Sequence, residues 1–99
     1  MNNNQPWANV LNIPVISTVH LPKCTIDAIH KYGDMLPWMT CAPYVHGAFI
    51  SVPANLDDQL NASLLDGLRD LFLWAKSNKL TWLCLDTNAE EVPGLLTYD

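Results

Sequence analysis

Basic residues are scarce in this chain: Lys and Arg number 5 against 10 Asp and Glu, which leaves a formal net charge of −5. Proteins that grip DNA or RNA directly draw affinity from cations that displace counterions from phosphates. Five scattered cations therefore argue against direct nucleic-acid binding. Cysteine is also sparse, with Cys24, Cys41 and Cys84 odd in number and widely spaced. That pattern excludes a disulfide framework and the paired Cys-x-x-Cys spacing of a zinc site, and it fits reduced thiols. With 4 glycines there is no Gly-rich phosphate loop, no G-x-S-x-G elbow and no H-E-x-x-H helix. No apolar run approaches the roughly 20 residues of a membrane span. The start, from Met1 to Trp7, has neither a basic cluster nor an apolar stretch of signal length. The expectation is a cytoplasmic protein without membrane contact or cofactor.

What is present is a globular composition. The chain has 99 residues, 49% hydrophobic and 15% charged. It is too apolar for a disordered tail and too poor in charge for a coiled coil, and its length suits one domain. Residues 1–12, Asn-rich at the outset, are expected to form a flexible N-terminal arm, with residues 13–99 as a single α+β domain. Charge is unevenly spread. Asp27 and Asp34 balance Lys23 and Lys31 in the first half. In the second half Arg69, Lys76 and Lys79 face Asp57, Asp58, Asp66, Asp70, Asp86, Glu90, Glu91 and Asp99, so the entire net charge lies there. An acidic surface of this kind suits a protein partner with a basic surface, including one that ordinarily holds nucleic acid.

Local patterning gives six elements. The β-branched run from Val15 to Leu21 predicts a strand closed by Pro22. Ile26, Ile29, Tyr32 and Leu36 recur at helical spacing over 23–35, with Asp27, Lys31 and Asp34 opposite. Met39 to Val45 predicts an edge strand, because Pro43 cannot donate to a ladder on both sides. His46-Gly47 predicts a turn and Ala48 to Val52 the returning strand. The strongest helix signal spans 61–78, with Ser63-x-x-Asp66 as a capping box and Gly67 inside the helix. Leu80 to Leu85 predicts the last strand. The order β-α-β-β-α-β predicts a two-layer, ferredoxin-like sandwich: a four-stranded antiparallel sheet with two helices on one face.

Alternation along the strands sorts their faces. Val15, Val19, Leu21, Ile50, Val52, Leu83 and Leu85 are expected beneath the helices. Ile16, Thr18, His20, Tyr44, Phe49, Trp82 and Cys84 are expected on the other side. Tyr44, Phe49 and Trp82 would then form an aromatic-bearing open face, which marks an interaction surface unless the arm or the tail covers it. On the long helix Leu60, Leu64, Leu68, Leu71, Phe72 and Ala75 make one apolar arc, while Leu73 falls among Asp66, Arg69 and Asp70. Leu73 is therefore a candidate apolar anchor for a partner with a basic rim.

Candidate chemistry is thin. Cys24 at a helix start, with His20 four residues before it, permits a small thiol- or metal-dependent enzyme. Cys41 and His46 are sent to opposite faces. The adjacent pairs Asp57-Asp58 and Glu90-Glu91 point apart and read as solvated charge rather than an acid–base dyad. A structural homodimer joined through the sheet face is a further alternative.

The stretch Leu80-Thr81-Trp82-Leu83-Cys84-Leu85-Asp86, followed by Val92-Pro93-Gly94-Leu95-Leu96-Thr97-Tyr98-Asp99, resembles a small family of uncharacterised proteins encoded on bacterial plasmids and prophages. The likeness runs from Thr18-Val19-His20-Leu21 onward and carries no catalytic motif. It implies a mobile genetic element as context, where small acidic proteins block restriction or CRISPR defence by occupying a protein surface. The expected function is a non-enzymatic, protein-binding anti-CRISPR or anti-restriction inhibitor. Its acidic face would comprise Asp57, Asp58, Asp66, Asp70, Glu90 and Glu91, with apolar contact from Leu73, Tyr44, Phe49 and Trp82.

Overall fold

The computed structural model describes residues 11–36, 39–55 and 64–98. Strand β1 runs Val15–Ser17, helix α1 Lys23–Tyr32, β2 Cys41–Tyr44, β3 Gly47–Ser51, helix α2 Leu68–Ser77 and β4 Trp82–Asp86. Their order along the chain is the expected β-α-β-β-α-β, and the class is α+β. The sheet itself departs from expectation. Its strand order is β1-β4-β3-β2, with β1 parallel to β4 while β4–β3 and β3–β2 are antiparallel. It is a mixed sheet, not an antiparallel one, and the expected ferredoxin-like arrangement is not confirmed. Strand direction is set by how α1 and α2 return the chain, and no local residue pattern encodes it.

β1 is also shorter than its run of branched residues suggests. The Ser17 side chain accepts a hydrogen bond from the Val19 amide at 3.2 Å, turning Thr18–His20 into a 3-10 turn. Alternation projected back from Leu21 across that turn loses its phase. Ile16, expected outside, is buried, and Val15, expected inside, is 57% exposed. Leu21 does enter the core as expected, and His20, expected outside, is buried.

The register defines the inward face. Ile16, Leu85 and Ala48 share one cross-sheet row, and Leu83, Ile50 and Cys41 share the next. These side chains form one cluster with Ile29 of α1 and Leu68, Leu71, Phe72 and Ala75 of α2. Both helices therefore pack against this face. Each fully buried side chain of this size contributes about 1.5–3 kcal/mol of hydrophobic stabilisation.

Helix α2 begins later than the periodicity suggests. Gly67 is its N-cap, with φ of 83°, and not an interior residue. In that left-handed conformation other residues are strained, and a Cβ there would also lie 2.8 Å from Pro22 Cδ. Glycine lets the 64–67 segment close onto the start of α1, where Thr25 Oγ1 donates to the Asp66 carbonyl at 2.6 Å. Leu60 of the expected arc and Ser63 of the expected capping box lie outside the described residues.

Both sheet edges are protected. The chain after β4 doubles back beside β1. There the Ser17 amide donates to Glu90 O and the Tyr98 amide to Val19 O. On the other edge the Thr40–Ser51 backbone bond sets the alternation along β2, so that Pro43 falls in a non-hydrogen-bonded pair with Ala48. At Pro43, where β2 would otherwise offer an amide outward, proline has none. The expectation of an edge strand at Pro43 holds.

Candidate functional site: the open face of the sheet

The outward face carries two complete cross-sheet rows. Val15, Cys84, Phe49 and Ala42 form one, and Ser17, Asp86, Gly47 and Tyr44 the other. Trp82 and Ser51 begin a third. Phe49 is 40% exposed, and Tyr44 and Trp82 are half-buried. Tyr44, Phe49 and Trp82 therefore lie on the side away from the helices, as their alternation predicts. The tail's hydrogen bonds are made to β1 and the turn that follows it, while Cys84 and Ser17 of this face are buried.

At the centre of this face Tyr44 reaches across β3. Its hydroxyl donates to Asp86 Oδ2 at 2.6 Å, with Cys84 Sγ 3.4 Å away. Two strand spacings separate β2 from β4, roughly 10 Å. The tyrosine can lie over the intervening row because Gly47 has no side chain. A Cβ at Gly47 would collide with the Leu85 carbonyl. The Tyr44 ring packs beside Phe49 with centroids 5.6 Å apart and meets His46 edge-on at 6.3 Å. The other oxygen of Asp86 accepts the Asn88 amide at 2.7 Å.

These bonds tune both groups. The Tyr44 hydroxyl, and then the Asn88 amide, hold the Asp86 carboxyl below its usual range. In return the hydrogen bond to Asp86, with Cys84 beside it, raises the Tyr44 hydroxyl well above the ordinary tyrosine value. Asp86 is therefore a carboxylate at neutral pH. Among the described residues it forms no ion pair. Sequence reasoning left Asp86 unused. The signal that could have found it is its spacing from Trp82 and Cys84, which puts all three on one strand face.

The cations sit elsewhere. Lys23 and Lys31 belong to α1, Arg69 and Lys76 to α2, and Lys79 to the turn after it. Lys23 pairs with Asp27 at 3.2 Å, and Lys76 bonds the Ala54 carbonyl. No strand contains Lys or Arg.

The other expected residues are dispersed. Asp66 and Asp70 are exposed on either side of Arg69 at the start of α2, and Leu73 is 40% exposed on the same helix. Glu90 and Glu91 are exposed on the returning tail. Asp57 and Asp58 lie outside the described residues.

His20 has a different task from the one the Cys24 pairing suggests. It is 2% exposed, with Nε2 accepting the Val92 amide at 2.9 Å and Nδ1 2.8 Å from the Leu96 carbonyl. This arrangement assigns a neutral ring with the proton on Nδ1. Both nitrogens are spent on the tail, and neither is left for Cys24 or a metal. Among the described residues there is no cluster of three or more His, Cys, Asp or Glu able to hold a metal ion, and no helix long and apolar enough to cross a membrane. A shallow groove of about 270 Å³ lies between the tail and α1, lined by Val19, Leu21, Ile26 and Tyr98. The Lys23–Asp27 ion pair stands at its rim.

Residues 13–99 match the C-terminal domain model of DUF5983, a family of unknown function. The chain belongs to that family. No curated protein and no solved structure matches it. Among the described residues of this DUF5983 domain, the sheet face, with its aromatic side chains and a carboxylate that forms no ion pair, is the strongest candidate site.

Proposed function

We propose that this DUF5983 protein is a non-enzymatic protein-binding protein of a mobile genetic element. In this reading it is an anti-defence inhibitor that occupies a basic cleft of restriction or CRISPR machinery. One observation carries the reading. The sheet presents Phe49, Tyr44 and Trp82 beside the Asp86 carboxylate, and all five Lys and Arg residues belong to other elements. An apolar, anionic face of this kind complements a basic protein surface and repels nucleic acid. The protected edges favour docking through the face over strand addition. Asp66, Asp70, Glu90 and Glu91 add long-range attraction, and Leu73 supplies a second apolar contact.

The test is phage plating on cells that carry an active restriction or CRISPR system, with and without this protein. Expression should raise plating of a targeted phage by at least tenfold. A double charge reversal, Asp66→Lys with Asp70→Lys, should reduce that protection. For a purified target, affinity should fall as ionic strength rises and the slope should flatten in the double variant. Unchanged plating across both classes of system would overturn the proposal.

A further inference from the structure

The open face carries a stranded negative charge, and its surroundings narrow what can neutralise it. Asp86 lies two strands from Tyr44 in a row that is otherwise Ser17 and Gly47. All five Lys and Arg of the chain are located, and each belongs to a helix or to the turn after α2. Residues 1–10 and the other segments outside the described residues contain no Lys or Arg. No basic side chain of this chain is therefore available from those segments. A second copy docking through the same face would bring no Lys or Arg either, only another His46 in the β2–β3 turn, a residue that each copy already has beside its own Tyr44–Asp86 pair. An isologous contact places a patch against itself, so it would bury two carboxylates against apolar surface at considerable cost.

The shape beside the carboxylate is equally selective. Tyr44 and Phe49 stand 5.6 Å apart with their rings tilted by 38°, and Phe49 is open to solvent. A planar cation can lie on such rings while its edge meets a carboxylate. Guanidinium does both, because it is flat, weakly hydrated and forked. An ammonium does only the second well.

Resting on the protein-binding reading above, we infer that Asp86, Tyr44 and Phe49 form a receptor for an arginine side chain of the partner, flanked by apolar residues. The Tyr44 hydroxyl and the Asn88 amide hold the carboxylate in place. Guanidinium stacks on the exposed ring of Phe49 and donates to Asp86, and neighbouring apolar side chains cover Val15 and Trp82.

The probe is a short peptide, acetyl-Leu-Arg-Leu-amide, titrated into the isotopically labelled full chain and followed by NMR. Its controls carry citrulline, which is planar but neutral, or lysine in place of arginine. The arginine peptide should shift the amides of Phe49, Cys84 and Asn88. Citrulline should weaken binding at least fivefold and lysine severalfold. Asp86→Asn can keep its single carbonyl oxygen on the Asn88 amide while its NH2 donates to the Tyr44 hydroxyl, so the fold is retained while the arginine preference disappears. Equal binding of the arginine and citrulline peptides, or an unchanged preference in Asp86→Asn, overturns the inference. So does a doubled mass in sedimentation that Phe49→Asp restores to 11.1 kDa, which assigns the face to a second copy. Binding seen only after residues 1–10 are removed also overturns it, since the chain's own arm would then be the occupant. Peptide binding without phage protection would leave the arginine receptor standing and remove the anti-defence role. Protection without peptide binding would do the reverse.

Discussion

Gly47 and the Tyr44–Asp86 pair act as one unit. The bare backbone of Gly47 lets the tyrosine cross β3, and its carbonyl is 2.9 Å from His30 Nε2. Gly47→Ala drives a Cβ into the Leu85 carbonyl, a backbone atom that cannot rotate away. Urea unfolding should show a loss of about 3 kcal/mol, at the upper end for overpacking. The pair also sets a pH window. Asp86 titrates below its ordinary value of 3.8 in the folded state, chiefly through the Tyr44 hydroxyl. Its stabilising effect is full above that value and is lost as pH falls through the lower folded one. Tyr44 is displaced upward from 10.0, so its effect is full below that value and is lost as pH rises through the higher folded one. Following the Asp86 carboxyl carbon by NMR should give a midpoint below 3.8, and Tyr44→Phe should raise it.

Among the elements, α2 separates packing from presentation. Phe72 is fully buried and its neighbour Leu73 is 40% exposed. Phe72→Ala should cost about 3–5 kcal/mol, whereas Leu73→Ala should stay within about 0.5 kcal/mol. Chemical denaturation of the two variants checks this, and a lowered affinity of Leu73→Ala for a purified target would assign it to the interface. The C-terminal tail is held by backbone bonds to β1 and the turn after it, by packing of Val92 and Leu95, and by one buried side chain. His20 serves the Val92 amide and the Leu96 carbonyl at once. His20→Ala removes the partner of both groups; with Val92 half-buried and Leu96 57% exposed, the expected loss is about 1–3 kcal/mol, that of one buried unsatisfied group. Hydrogen exchange should quicken first at Val92 and Tyr98, whose amides bond His20 and Val19.

At the scale of the molecule, the arrangement is one of segregation. Helices hold every Lys and Arg except Lys79, the inner sheet face and both helices hold the core, and the outer face holds aromatics with one carboxylate. Among the described residues the tail shields β1 and Pro43 blunts β2, while Phe49 and Val15 of the sheet face stay exposed. Salt dependence of target binding belongs to this scale. It reports on the summed charge of −5 and not on any one residue.

The order of elements, the edge position of β2, and the outward placement of Tyr44, Phe49 and Trp82 were legible in the sequence. Each rests on a local rule: helical spacing, proline's missing amide, and alternation within a single strand. Alternation failed at Val15 and Ile16 because Ser17 ends the strand and starts a turn, which breaks the phase. Helix periodicity likewise ran through Gly67, where a positive φ starts α2 instead. Asp86 looked like one more solvated acid until β4 was set two strands from Tyr44 with a glycine between them. Local sequence determined the faces of single strands because side-chain direction is a property of the backbone there. Tertiary structure alone decided that β1 runs parallel to β4, and that Tyr44 and Asp86, 42 residues apart, meet, because pairing across strands depends on how distant segments return to one another.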